Sequence, residues 1–352
     1  MLSNGKSIPV SLPALLAAGG PFIDLRSPKE FAGGAVPGAV NLPLLHDDQR
    51  HQVGLTYRNR GSEAAIALGE SLVSGTIRDN RLAGWLNFIG EHPGTWLYCW
   101  RGGLRSETAQ HWLAGRGADV PRVPGGFKAL RHCCLDALAA APGSKPWLVL
   151  GGRTGTGKTV LLKRIPGHID LEGLANHRGS AFGAAITPQP PPIAFENALA
   201  VAWLRHTAAC VLLEDESRTI GRLAIPTDWH AAMQKAPLVI LEADLAERAR
   251  HIAREYVLEP LAAGMAAVTV HRRLQQALDR IRRRLGGQRH ADVTAALARG
   301  FETGEHQAWI ERLLAWYYDP MYDYQLQNKL DRVIFRGDAE ETEAFLLSRA
   351  QA

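Results

Sequence analysis

The chain has 352 residues, of which 46% are hydrophobic and 21% charged, with a formal net charge of +5. That length predicts two domains with real cores, and the composition excludes a disordered chain. The modest positive charge is compatible with nucleic-acid or phosphorylated partners without requiring either.

Residues 1–140 read as short strands alternating with helices. Phe22-Ile-Asp-Leu25 is an apolar strand ending at the turn Arg26-Ser-Pro28, and Gly33-Gly34 and Pro37-Gly38 mark loops. Residues 62–75 and 82–90 have helical spacing. Thr95-Trp-Leu-Tyr-Cys99 is a strand, 104–113 a helix, and Val120-Pro-Arg-Val123 a last short strand before a helix that ends near Ala140. Residues 141–146, Ala-Pro-Gly-Ser-Lys-Pro, form a linker. The second domain, 147–352, opens with the strand Trp147-Leu-Val-Leu150, a glycine-rich loop and a helix from Gly157. Buried strands follow at 210–213 and 238–241, and the sequence turns helical from Ala243. Strand–helix alternation predicts an α/β fold with parallel sheets covered on both faces, the second domain ending in a helical part.

The four cysteines, Cys99, Cys133, Cys134 and Cys210, show neither a CxxC pair nor metal-ligand spacing, which suits a reduced, cytoplasmic chain. Residues 1–20 offer too short an apolar run for a secretory leader. No apolar stretch reaches the ~18 residues of a membrane span.

Three segments carry chemistry. In Cys99-Trp-Arg-Gly-Gly-Leu-Arg105, a thiol at a strand end meets a glycine loop and a helix start. Backbone N–H groups there favour thiolate, and Arg101 and Arg105 can hold an anion. A buried structural cysteine is the bland alternative. Gly152-Arg-Thr154-Gly155-Thr156-Gly157-Lys158-Thr159 fits G-x4-G-K-[ST] in its proper strand and helix context. Its amides can face a diphosphate, Lys158 adds charge, and Thr159 can place a hydroxyl on Mg2+. The acidic strand end Glu214-Asp215-Glu216 either supports a metal or phosphate, with Glu214, Asp215 and Arg218 as candidates, or merely pairs with Arg218 and Arg222.

The helix from His271 to Leu285 carries an apolar stripe of Leu274, Leu278, Ile281 and Leu285. Arg272, Arg273, Arg280, Arg283 and Arg284 lie mostly elsewhere on it, as either an RNA-backbone surface or a solvated face. Eight lysines against 32 arginines suit phosphate recognition, and equally a GC-rich coding sequence. The aromatic run Trp316–Tyr324 reads as packing before base stacking. His168, His177, His206, His230 and His251 show no ligand spacing.

The first domain resembles the rhodanese family, through Ile23-Asp-Leu-Arg26-Ser-Pro-Lys-Glu-Phe31, Val36-Pro-Gly-Ala-Val-Asn-Leu-Pro43, the Cys99 loop and Gly125-Gly126-Phe127. Its Cys-to-Arg loop is one residue longer than in ordinary sulfur-transferring rhodaneses and is similar to that of dual-specificity phosphatases, which wrap a phosphate. With the P-loop domain and the runs Asp170–Gly183, Phe195-Glu-Asn197, Leu213–Gly221 and Tyr317–Tyr322, the chain resembles the tRNA 2-selenouridine synthase family. That resemblance implies a two-step exchange on the wobble uridine of tRNA. Geranyl diphosphate alkylates the sulfur of 2-thiouridine, and selenium from selenophosphate then replaces the geranyl-thio group. It also implies that Cys99 carries selenium as a selenylsulfide while Arg101 and Arg105 hold the departing phosphate. No tightly bound cofactor is expected, and Mg2+ is a candidate only. The competing readings are an ATP-dependent sulfurtransferase acting on RNA, a nucleotide-gated RNA-binding or sulfur-relay scaffold, and a phosphoprotein phosphatase.

Overall fold

The structure, a computed structural model, describes residues 11–183 and 186–351. Residues 1–10, part of the stretch read against a secretory leader, lie outside the described residues. The chain folds as two compact units. One is Met1–Ala140 with Pro190–Arg205, and the other is Ala141–Gln189 with His206–Ala352.

In the first unit, β1 (Phe22–Asp24), β2 (Ala39–Asn41) and β3 (Trp96–Tyr98) form a parallel sheet in the order β2-β1-β3. All three β1 residues are buried, as expected for a central strand covered on both faces. Of the strand expected at 120–123, only one parallel bridge survives, between Leu97 and Arg122. Pro121 has no N–H to donate, so the ladder cannot extend through it. The helical stretch Asp47–Leu72 is broken at Gly61 (φ 83°), so a helix starts at the expected residue 62 and an unexpected one precedes it. That earlier helix is polar and mostly exposed, so no apolar period marks it.

Helix Pro192–Leu204, read from sequence as part of the second domain, belongs to the first unit. Arg131 explains the attachment: it donates to Asn197 Oδ1 at 2.8 Å and pairs with Glu196. Asn197 Nδ2 in turn donates to the Ala35 carbonyl at 3.0 Å, and Asn197 is fully buried. The Phe195-Glu-Asn197 run is therefore a packing clamp.

In the second unit, β4 (Trp147–Gly151), β5 (Val211–Glu214), β8 (Leu238–Leu241) and β9 (Val333–Gly337) form a parallel sheet in the order β5-β4-β8-β9. Between β5 and β8 lies a two-stranded hairpin, β6 (Thr219–Ile220) and β7 (Leu223–Ala224). Strand β9 interrupts a region read as helical. It is an edge strand with alternating exposure, and five residues leave too little pattern to recognise. Helix Ala267–Leu285 buries the expected stripe of Leu274, Leu278, Ile281 and Leu285 and ends at Gly286 with φ 91°. It packs with Gly287–Thr303 and Gln307–Leu313 around Trp309, Ile310 and Leu314. No helix of the described residues is long and apolar enough to cross a membrane.

Candidate functional site

The thiol and the phosphate loop sit in separate units. Cys99 follows β3 directly and is 3% exposed. Its sulfur lies 3.4 Å from Ser106 Oγ and 3.7 Å from the Gly103 carbonyl. The loop is pinned from behind. Phe127 N donates to Cys99 O at 2.8 Å, Lys128 N to Trp100 O at 3.0 Å, and Arg122 Nη1 to Gly102 O at 3.1 Å. Gly126 adopts φ 60°, and a Cβ there would stand 2.4 Å from Cys99 O. Only glycine fits, which gives the Gly125-Gly126-Phe127 turn its physical reason.

The two arginines of this loop differ. Arg105 donates to Glu30 at 2.6 and 3.2 Å, so its guanidinium is tied to the helix capped by Ser27. Burial pushes the Glu30 carboxyl up, but the Arg105 hydrogen bond and charge, the Ser27 amide and Arg50 outweigh it and hold the carboxyl below its ordinary value. Arg101 is exposed, and Trp100 and Leu104 beside it are 40% and 56% exposed. The other cysteines are buried to differing degrees and free. Burial, then the neighbouring Cys133, pushes the Cys134 thiol up to about 12, and burial also raises Cys133 and Cys210.

In the second unit, the phosphate loop runs from β4 into helix Lys158–Leu162. Gly152, Gly155 and Gly157 have φ of 150°, 87° and 83°. Cβ atoms at Gly152 and Gly155 would meet the Leu241 and Arg248 carbonyls at 2.6 and 2.8 Å. Lys158 Nζ folds onto the Gly152 and Arg153 carbonyls at 3.0 and 3.4 Å. Thr156 is buried and bonds Arg153 O, so its side chain braces the loop. Helix Leu245–Ala253 grips the loop from the other side. Arg248 Nε donates to Thr154 O at 2.9 Å, and His251 Nδ1 lies 3.0 Å from Gly155 O. Two aspartates of the aromatic run complete the brace: Asp319 pairs with Arg248 at 2.5 Å, and Asp323 with Arg153 at 2.7 Å. Tyr317 and Tyr318 of that run are buried packing residues, whereas Tyr324 is exposed.

The loop opens on a cavity of about 1340 Å3. Phe182, Met265, Val270, Leu274, Tyr317 and Met321 give it apolar wall. Arg273, Arg280 and Arg284, at helical spacing on one face of Ala267–Leu285, also line it, whereas Arg272 and Arg283 do not. Of the five scattered histidines, His177 and His251 line it.

The acidic strand end differs from the expectation. Asp215 lines the cavity, but its carboxylate is taken by Lys329, which donates to both its oxygens at 2.7 and 2.8 Å. Arg218 is exposed and outside the cavity wall. Glu214 does line the cavity, but its companions are Glu172 and Glu216, with one carboxylate oxygen from each within 4.8 Å of the others. Strand β5 ends at Glu214, and a tight turn in which Glu216 N donates to the Glu214 carbonyl at 2.9 Å carries Glu216 back beside it. Neither that turn nor the arrival of Glu172 from helix Leu171–Ala175 was available in the sequence. Burial first, then the neighbouring carboxylates, pushes Glu172 up to about 9 and Glu216 to about 7. Burial likewise raises Glu214, against the pull of Lys158.

Comparison with known proteins agrees with both halves. A family model described as the tRNA 2-selenouridine synthase AAA domain matches residues 145–352, and one described as a rhodanese-like domain matches residues 9–133. Relatives named tRNA 2-selenouridine synthase occur in Shewanella sp. (strain MR-4), 46% identical over 94% of this chain and 91% of that one. Another, from Cupriavidus necator, is 48% identical over 92% of this chain and 93% of its own. A third, from Marinobacter nauticus, is 45% identical over 94% of each.

Proposed function

The chain belongs to the tRNA 2-selenouridine synthase family, and we propose that it converts 2-thiouridine in tRNA to 2-selenouridine through an S-geranyl intermediate. The observation that carries this reading is the composition of one cavity. A phosphate loop with Lys158 shares it with Phe182, Met265, Val270, Leu274 and Tyr317. A diphosphate joined to an apolar tail satisfies both kinds of wall, while a nucleoside triphosphate would leave the apolar part without a partner. At about 1340 Å3 the space exceeds the upper end of the usual ~300–1,000 Å3 for a small ligand, leaving room for a thiolated base beside the donor.

In the first step the thiouridine sulfur attacks C1 of geranyl diphosphate. The C–O bond breaks, diphosphate leaves with the electron pair, and the base loses its N3 proton. The loop amides and Lys158 stabilise the growing negative charge on the leaving group. Arg273, Arg280 and Arg284 supply positive charge for RNA phosphates at the same cavity. Alkylated sulfur is then a better leaving group.

In the second step selenium of selenophosphate bonds C2 of the base, and geranylthiolate departs with the C–S pair. The Se–P bond must then break with its electrons left on selenium. Electron balance therefore replaces the expected selenylsulfide. A sulfur–selenium bond formed from selenophosphate would expel phosphite or require an oxidant. Attack of the Cys99 sulfur on phosphorus releases selenium at the correct oxidation level, and water then frees phosphate. The longer Cys99-to-Arg105 loop suits this phosphorus-centred role, with Arg101 exposed to meet the oxyanion and Ser106 Oγ beside the sulfur.

The test incubates the protein with 2-thiouridine tRNA and weighs the nucleosides after digestion. Geranyl diphosphate alone is expected to give the S-geranyl nucleoside, and both donors together 2-selenouridine. Robust tRNA-stimulated ATP hydrolysis with no geranylated product would overturn the assignment of the phosphate loop.

A further inference from the structure

We propose that Glu172, Glu214 and Glu216 form a site for one small hard divalent cation, of the Mg2+ or Mn2+ class, which fills before any diphosphate binds. A phosphate loop ordinarily shares its metal among the loop hydroxyl, one acidic residue at a neighbouring strand end and phosphate oxygens. The ligand set here is different, because three protein carboxylates converge on one another.

Three observations carry the site. One oxygen from each carboxylate lies within 4.8 Å of the other two, a spread that an ion with ~2.1 Å oxygen distances closes with a small inward movement. Glu214 is 6% exposed, and its Oε1 is sealed from solvent without a hydrogen-bond partner. A buried carboxylate oxygen in that condition is costly unless something positive meets it. Finally, no neighbouring lysine or arginine makes an ion pair with the cluster, although the charge of Lys158 acts on all three carboxyls. Lys158 Nζ is bonded to Gly152 and Arg153 carbonyls, Arg178 pairs with Glu255 at 2.8 Å, and Lys329 is taken by Asp215. Among the described residues, no lysine or arginine pairs with any of the three glutamates.

The surrounding backbone is shaped for close approach. Gly179 N donates to Glu172 Oε1, and a Cβ on Gly179 would stand 2.3 Å from Glu216 Oε2. All-oxygen, carboxylate-rich ligation selects Mg2+ or Mn2+ over softer ions. Because the cluster lines the same cavity as Lys158 and Thr159, the bound ion would face an incoming diphosphate. The proposal does not depend on which diphosphate that is.

Mn2+ titration of the full-length protein tests it, with free Mn2+ followed by its electron paramagnetic resonance signal and no diphosphate present. One Mn2+ per chain is expected, displaced by Mg2+, with affinity falling at least tenfold in both Glu172→Gln and Glu216→Gln. Those variants lose a like charge without losing volume, and circular dichroism checks that they are folded. A second readout on the unsubstituted protein avoids substitution altogether: Mn2+ should raise the melting temperature without diphosphate. Absence of Mn2+ binding until diphosphate is added, or unchanged binding in both variants, overturns the proposal.

Discussion

Buried Arg248 pairs with the partly buried Asp319 at 2.5 Å, although 71 residues separate them, and the same guanidinium holds the Thr154 carbonyl of the phosphate loop at 2.9 Å. The loop's shape thus depends on a residue in the aromatic run near the C-terminus. Asp319→Asn leaves Arg248 charged and buried without its partner, at a cost of about 3–5 kcal/mol. Urea denaturation should report that loss. Calorimetry should show inorganic diphosphate binding ~10-fold more weakly, equivalent to ~1.4 kcal/mol. The half-exposed pair of Arg153 and Asp323 provides the contrast, since Asp323→Asn should cost no more than about 1 kcal/mol.

Cys99 serves only the second step in the proposed sequence. Cys99→Ser should keep the S-geranyl nucleoside and lower 2-selenouridine formation at least ~100-fold, because a serine hydroxyl is a far weaker nucleophile at neutral pH. Mass spectrometry of digested tRNA distinguishes the two products. Loss of both would mean that the steps are divided wrongly between the thiol and the phosphate loop.

Glu30 gives the first unit a pH signature. Its carboxyl is held below the ordinary value near ~4.3, so the folded protein binds its proton less readily than the unfolded chain. The stabilisation is present above the unfolded value and is lost as pH falls through the folded one. Glu30→Gln should therefore lower the melting temperature at pH 7 by about 2–4 °C, for a pair worth ~1 kcal/mol. The gap between variant and parent should narrow as pH falls through the lowered folded value of Glu30. A gap that stays constant down to the acid unfolding of the parent would show that Arg105 gains nothing from the charge on Glu30.

The apolar wall of the cavity is testable separately from the phosphate loop. Met265→Trp fills space beside Val270 and Leu274 and replaces the sulfur that Arg273 Nη1 meets at 3.9 Å, while leaving the phosphate-loop residues 152–159 unchanged. The KM for geranyl diphosphate should rise ~10-fold, while inhibition by inorganic diphosphate stays unchanged. Equal weakening of both ligands would place the tail elsewhere.

The glycine pattern of the phosphate loop, the apolar stripe of Ala267–Leu285 and the Cys99 loop were all legible in the sequence. Each is a local rule: a left-handed turn, a helical period, a strand end followed by glycine. The functional partners were less legible. Asp215 looked like the metal-supporting acid, but Lys329, 114 residues away, takes it. Arg105 looked like an anion holder, and Glu30 binds it from 75 residues away. The acidic run displayed Glu214 and Glu216, yet a tight turn brings those two together and nothing local announced Glu172.

By itself the sequence determined the two α/β units, the thiol loop, the phosphate loop and the family. Those rest on backbone conformations and periodicities that neighbouring residues impose on one another. Only the tertiary structure decided which carboxylates meet, which arginines face the cavity, and that Arg248 and Asp319 brace Thr154. The physical reason is that packing brings together groups far apart in the chain, and burial then sets the protonation and pairing of each.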